Sequence, residues 1–377
     1  MKIHQGVRLF AFATLATVTA SAQKSLPPRT EGASDWAITR ELQEAVRRGH
    51  KWLAAQQNPA GYWSQDVGFK LNSNYQITKA NVPHVGVTAL CLISYLAGGN
   101  LPGRGEYGEV LSRGLDYVLS CMKENGYISD NGTRMYSHAF STLFLAEVYG
   151  MTRRADIKRA LQRSVNLIVD SQNAEGGWRY KPFARESDMS ITVCQVLALR
   201  SARNVGITVP ASTIKSAENY VRKSAVRDGG GGTGFGWSGD MLGDGGAFRY
   251  QLMPNSRATF PLTAAGITTL HAAGIYDDEI LRSAFDYLDG QMGQFNLQFK
   301  NHYFFYYGHY YAVQAYYTAG GERFSRYFKT MRDEALLPNQ QRDGSWACDV
   351  GPGEAFATAV ATLILQIPYQ YLPIFQR

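Results

Sequence analysis

Apolar residues recur at helical spacing along most of this chain, and the helices they predict are of two kinds. The first kind is amphipathic. Trp36, Leu42, Val46 and Leu53 mark one stripe, with Arg47, Arg48 and Lys51 on the other faces. The second kind is apolar on most faces, as in Ile191-Thr192-Val193-Cys194-Gln195-Val196-Leu197-Ala198-Leu199. The two kinds alternate. Ser34 or Asp35 caps the first amphipathic helix, and later ones centre on Tyr117, Leu167, Tyr220, Tyr287 and Met331. The apolar helices start near His84, Tyr136, Asp188, Ser256, His302 and Glu354, the first running through Val87, Leu90, Cys91 and Leu96 to the stop at Gly98-Gly99. A helix apolar all round is buried, and an amphipathic one lies at the surface. The pattern therefore predicts an all-α fold, an (α/α)6 toroid of about six helix-pair repeats. An open solenoid needs polar capping repeats, yet the last helix, Ala355 to Ile367, is as apolar as the middle ones.

A motif at the end of three surface helices supports the repeat. Gln57, Gly61 and Trp63 recur as Gln172, Gly176 and Trp178, and again as Gln340, Gly344 and Trp346. The intervals between the three copies are close to two and three times a unit of about 56 residues. Gly allows a positive φ or a close approach where the chain turns, Gln bonds freed backbone groups, and Trp buries a ring against the next repeat. These nine residues are read as structural.

Ahead of the repeats, Lys2 and Arg8 precede the apolar run Leu9 to Ala20 and the small residues Ala20-Ser21-Ala22. This reads as a secretory signal peptide over residues 1–22, followed by a linker over 23–33 and one toroid domain over 34–377. The expected location is periplasmic or extracellular, with no transmembrane segment once the signal is removed. Export permits disulfides, and Cys121–Cys348 is conceivable. Cys91 and Cys194 lie inside apolar helical runs, so free thiols are favoured. The formal charge of +7 is spread thinly, with no dense basic stretch to mark a nucleic-acid face. No Cys/His spacing suits zinc, and no residue pattern requires a cofactor.

The Gln-x3-Gly-x-Trp motif resembles the QW repeats of squalene–hopene and oxidosqualene cyclases and the related repeats of protein prenyltransferase β subunits. Met135-Tyr136-Ser137-His138, Gly176-Gly177-Trp178-Arg179-Tyr180, Ser187-Asp188-Met189-Ser190 and Tyr369-Gln370-Tyr371-Leu372-Pro373 also resemble bacterial prenyltransferase and squalene oxidase repeat-containing proteins. The resemblance implies a toroid and an isoprenoid-type ligand. It does not extend to catalytic residues. The DxDD acid motif of the cyclases is absent, Asp277-Asp278-Glu279 reads as the acidic start of a surface helix, and Cys348-Asp349 does not match the zinc-binding pair of the prenyltransferases.

A polar residue followed four places later by Thr recurs at His84/Thr88, His138/Thr142, Asp188/Thr192 and Glu354/Thr358, and His309 with Val313 fits loosely. Repeat four is ambiguous between Arg257 and Thr259. Starts of the inner helices share one rim of a toroid. His84, His138, Asp188, His309 and Glu354 are therefore candidate catalytic residues at the cavity mouth, where imidazole beside carboxylate suits acid–base work. The competing reading makes Asp188 an N-cap and each His a packed helix start. The Gly-rich stretch Gly229 to Gly246 holds Gly234-Phe235-Gly236-Trp237, read as a degraded fourth motif or a substrate loop. Trp237, Tyr303, Tyr307, Tyr310 and Tyr311 are candidate lining residues, the tyrosines from the aromatic segment His302 to Tyr317. Three function classes remain: an isoprenoid-binding or cyclase-like protein, a glycan hydrolase or lyase, and a non-catalytic scaffold.

Overall fold

The computed structural model describes residues 37–71, 74–226, 245–253 and 256–375. Twelve α-helices form the body among these residues. The outer helices are α1 (Arg40–Gln56), α3 (Gly108–Ser120), α5 (Ala155–Asp170), α7 (Ala211–Ser224), α9 (Glu279–Gln298) and α11 (Gly321–Thr330). The inner helices are α2 (Val85–Ala97), α4 (Arg134–Thr152), α6 (Met189–Asn204), α8 (Phe260–Ala272), α10 (Tyr303–Ala319) and α12 (Glu354–Gln366). Each inner helix packs on the next, and α12 packs back on both α2 and α1, so the ring is closed. The fold is an all-α toroid. Burial follows composition: every residue of α2 is buried, whereas α1 buries one stripe of Leu42, Ala45, Val46, Gly49, His50 and Leu53.

The Gln, Gly and Trp of the repeated turn each make the same contacts in three places. The indole N–H of Trp63, Trp178 and Trp346 donates to the carbonyl of Leu53, Ile168 and Leu336 at 2.7–2.9 Å, the first two near the end of their own outer helix and Leu336 in the π-helical turn Met331–Leu336 that continues α11. Each ring is 1% exposed. The side-chain amide of Gln57, Gln172 and Gln340 bridges two carbonyls. One belongs to the motif glycine and the other to the next outer helix, at Val110, Thr213 and Ala45. The last of these links repeat six to repeat one. The backbone N–H of each Trp donates to a threonine one turn into the following inner helix: Thr88, Thr192 or Thr358.

This last bond sets the register of the other repeats and corrects two sequence expectations. In repeat two, Ile128 N–H donates to His138 Nδ1 at 3.1 Å, so His138 occupies the threonine place and Thr142 lies a turn further on. In repeat four, Phe248 N–H donates to Thr263 Oγ1 at 3.1 Å, and Gly246 (φ +85°) makes the turn. The described fourth copy is thus Gly246-Ala247-Phe248, with Phe in place of Trp. Gly234-Phe235-Gly236-Trp237 lies outside the described residues, as does the N-terminal segment read as a signal peptide and linker.

A second difference lies between α1 and α2. Where a loop was expected, β1 (Ser64–Leu71) and β2 (Asn74–Pro83) pair antiparallel, with irregular register around Val67. At the opposite end of the ring the chain finishes in two 3-10 turns, Ile367–Tyr369 and Pro373–Phe375. Leu372 is buried there, and Ile374 N–H donates to the buried Glu147 carboxylate at 3.3 Å. The void left beneath this tail, lined by Ile93, Leu143, Glu147 and Ile374 among others, is about 10 Å³, room for no more than a water.

Candidate functional site

The axis of the ring opens at the end where the inner helices begin. A cavity of about 350 Å³ lies there, in the size range of small-molecule sites. Its floor is apolar: Leu90 from α2, Phe140 from α4, Tyr310 from α10 and Val360 from α12. Aromatic rings line most of the wall, among them Tyr136, Tyr180, Tyr250, Phe260, Tyr303 and Tyr307. The hairpin supplies one side through Val67, Phe69, Lys70 and Tyr75. Tyr75 and Tyr303 meet edge to face at 5.5 Å, and Lys70 Nζ lies 4.5 Å from the centre of the Phe304 ring. The outer helix α9 closes the far side through Tyr287, Gln291 and Phe295, reaching the cavity beside α8 and α10.

Among the described residues, charge in the lining has one sign. Lys70, Arg134 and Arg257 line the cavity, and no Asp or Glu does among the described residues. Arg134 stands over the Tyr180 ring at 5.8 Å and Arg257 over the Tyr250 ring at 4.8 Å. The hydroxyls of those two tyrosines share a 2.6 Å hydrogen bond. Burial, and then the charge of Arg257, push the Lys70 ammonium down to about 7.

The five candidate catalytic residues do not converge on this space. His84 lines it; it is the N-cap of α2, where Nδ1 accepts from Val87 N–H at 3.2 Å. His138, fully buried, spans two backbone groups: Nδ1 accepts from Ile128 N–H, and Nε2 lies 3.1 Å from the Ser164 carbonyl. His309 is two turns into α10, also fully buried, between the Tyr327 hydroxyl at 2.9 Å and Asn296 Oδ1 at 2.6 Å. The cap of α10 is His302 instead. Burial brings the imidazoles of His84 and His138 down to about 4 and that of His309 to about 3, so all three are neutral at pH 7. Glu354 is exposed at the first residue of α12 and is absent from the lining.

Asp188 caps α6. Its Oδ1 accepts from Ile191 N–H at 2.9 Å and from the Ser190 hydroxyl at 2.6 Å, while Oδ2 is buried without a partner. Burial raises its carboxyl to about 6 against those two hydrogen bonds. Its charge bears on Tyr136, Tyr180, Tyr250 and Tyr307, so it sits just behind the aromatic wall. Of the five, Asp188 alone holds a partner-free oxygen on an acid that titrates near neutral pH.

Among the tyrosines, Tyr303, Tyr307 and Tyr310 line the cavity. Tyr311 is fully buried against Tyr307 and Tyr310 instead, and Trp237 lies outside the described residues. Sequence reasoning missed Phe69, Lys70 and Tyr75. Their signal was present, since Val67, Phe69 and Leu71 and then Tyr75 and Ile77 alternate across an Asn-Ser-Asn turn. It also missed Arg134. In the register set by the backbone bond to His138, Arg134 stands four residues before it, as His84 and Asp188 stand before Thr88 and Thr192. Among the described residues, no group of three or more His, Cys, Asp or Glu side chains is placed to hold a metal, and the four cysteines are unpaired.

No protein-family model and no curated protein matches the chain. Solved structures do. A variant of the α-1,6-mannanase GH76A of Salegentibacter sp. HEL1_6, in complex with α-1,6-mannotriose, aligns with a TM-score of 0.59 at 10% identity, over 89% of this chain and 100% of that one. A variant of the type II terpene cyclase MstE from Scytonema, in complex with geranylgeranyl dihydroxybenzoate, aligns at 0.54 and 12%, over 88% and 98%. A structure described as a novel alpha-amylase from Clostridium perfringens aligns at 0.58 and 11%, over 88% and 99%. At such identities the likeness is one of fold, the α/α toroid, and fold does not carry reaction.

Proposed function

We propose that this protein is an exported toroid that holds an apolar, isoprenoid-like ligand in its central cavity, in the manner of the terpene-cyclase branch of the fold. The observation that carries the reading is the lining: aromatic walls over an apolar floor, with no carboxylate among the described residues. Burying such a surface against hydrocarbon yields about 25 cal/mol per Å². A glycan hydrolase instead needs two carboxylates facing across open space. The ring of rim residues supports no acid–base pair, because two of its imidazoles are bonded on both nitrogens inside the helix layer.

Calorimetric titration of the mature chain with geranylgeraniol and with α-1,6-mannotriose separates the two classes. The alcohol is expected to bind and the trisaccharide to give no heat. Val360→Trp, which fills the floor, should weaken the alcohol at least tenfold, about 1.4 kcal/mol. Binding of mannotriose in preference to the alcohol would replace this reading with the glycan one.

A further inference from the structure

The cations of the cavity stand at its mouth, and each comes from a different element. Lys70 is on β1, Arg134 opens α4, and Arg257 lies two residues before the N-cap of α8. Their placement is fixed by backbone as well as side chain. Met135 N–H donates to the Tyr180 carbonyl, and Tyr250 N–H donates to the Arg257 carbonyl. The two guanidiniums therefore sit on two tyrosines that are themselves hydrogen-bonded. Arg134 is held at φ +63°, a left-handed conformation that is unfavourable for a non-glycine residue. Strain of this kind persists where the surroundings fix the residue, and such residues cluster at ligand clamps.

Among the described residues the two guanidiniums have no carboxylate in direct contact. Neither Arg134 nor Arg257 makes an ion pair among the described residues, although ten other ion pairs occur there. Like charges brought together in a partly desolvated space repel one another, and an anion relieves that repulsion. Two residues of the lining, Tyr303 and Ser137, also carry hydroxyls that are buried without a hydrogen-bond partner. Buried polar groups left unpaired in a protein call for an absent partner. The floor at Leu90, Phe140 and Val360 offers an anion nothing.

We infer that the natural ligand is an amphipathic anion, with its hydrocarbon body on the floor of the cavity and a carboxylate or phosphate head between Arg134 and Arg257. The inference rests on the apolar-ligand reading and adds a head-group site to it. A guanidinium is suited to the task because it binds either oxyanion through two parallel N–H donors. Lys70, on the hairpin side of the lining, adds a third group able to carry positive charge.

The test uses one chain length and three heads: dodecanol, dodecanoate and dodecyl phosphate, titrated into the mature protein at low and high salt. Both anions should bind roughly tenfold or more tightly than the alcohol, and the gap should narrow at high salt. The larger gain of the two identifies the head as carboxylate or phosphate. Arg257→Gln should close most of the gap, and a far-UV circular dichroism spectrum matching the parent's shows that the variant is folded. Arg134→Gln should act in the same direction. If the alcohol binds as tightly as the anions, or if both variants keep the full gap, the head-group site is wrong and the apolar cavity stands. If none of the three binds, both readings fall together.

Discussion

His138 shows how far a single residue can depart from its sequence appearance. A histidine near the start of an inner helix suggested acid–base chemistry at a rim. Its ring instead joins the Ile128 N–H to the Ser164 carbonyl, fully buried. His138→Ala should therefore destabilise the fold by roughly 2–5 kcal/mol, since it opens a cavity and strands two buried backbone groups. A denaturant melt beside Trp178→Ala checks this; a midpoint near that of the parent chain would restore His138 as a site residue. Glu147 makes a second case. It is fully buried between the Ser201 hydroxyl and Ile374 N–H, and burial raises its carboxyl to about 7. The folded state then binds the proton more tightly than the unfolded state, whose value is near 4.5. Stability from this group is full below pH 4.5 and is lost as pH rises to about 7, by roughly 3 kcal/mol. The neutral buried imidazoles of His50, His84, His138 and His309 act in the opposite direction, losing stability as pH falls below about 6.5. The pH dependence of Glu147→Gln relative to the parent isolates the carboxyl. The variant's advantage should grow from pH 5 to pH 8, and an advantage independent of pH would contradict the assignment.

At the scale of elements, the helices were legible because helix period and facial polarity are written directly in the sequence. The three Gln-Gly-Trp turns were legible for the same reason: each residue type does one task that few others do. The degraded copies were not. Repeat two keeps Gly126 but replaces Trp with Ile128, and repeat four keeps Gly246 but uses Phe248, while a nearby Gly-Phe-Gly-Trp offers a better match to the pattern. What fixes the true register is a backbone hydrogen bond into the inner helix, and the acceptor there is a threonine in some repeats and a histidine in another. That substitution moved the polar ring by one turn and hid Arg134. The hairpin was hidden by its context, since two short alternating runs inside a helical repeat read as a connecting loop. The turn glycines carry a prediction. Gly344 has φ +102°, and a Cβ there would lie 2.6 Å from the Arg48 carbonyl oxygen, at the seam between repeat six and repeat one. Gly206 has a similar φ of +91° with nothing within 4 Å. Gly206→Ala should show the strain alone, about 1–2 kcal/mol. Gly344→Ala should cost clearly more, because the seam must also move apart. Equal losses in thermal unfolding would mean that the turn does not press on its neighbour.

The whole molecule is a ring whose two ends differ. At one, the C-terminal turns and Glu147 leave a void no larger than a water. At the other, the hairpin, the start of α4 and the segment before α8 frame an aromatic cavity with positive charge at its mouth. Closure of the ring was legible from the apolar last helix. The shape and charge of the cavity were not, because they depend on which residue of each helix turns toward the axis. The central claim is that this cavity is the seat of an apolar ligand. Photolabelling with dodecanol that bears a diazirine at its chain end, followed by peptide mapping, tests it most directly. The account predicts label on the floor, at Phe140, Tyr310 or Val360, lost when unlabelled dodecanol is present in excess. Label confined to exposed side chains such as Leu297 or Tyr371, or label displaced by mannotriose and not by dodecanol, would contradict it.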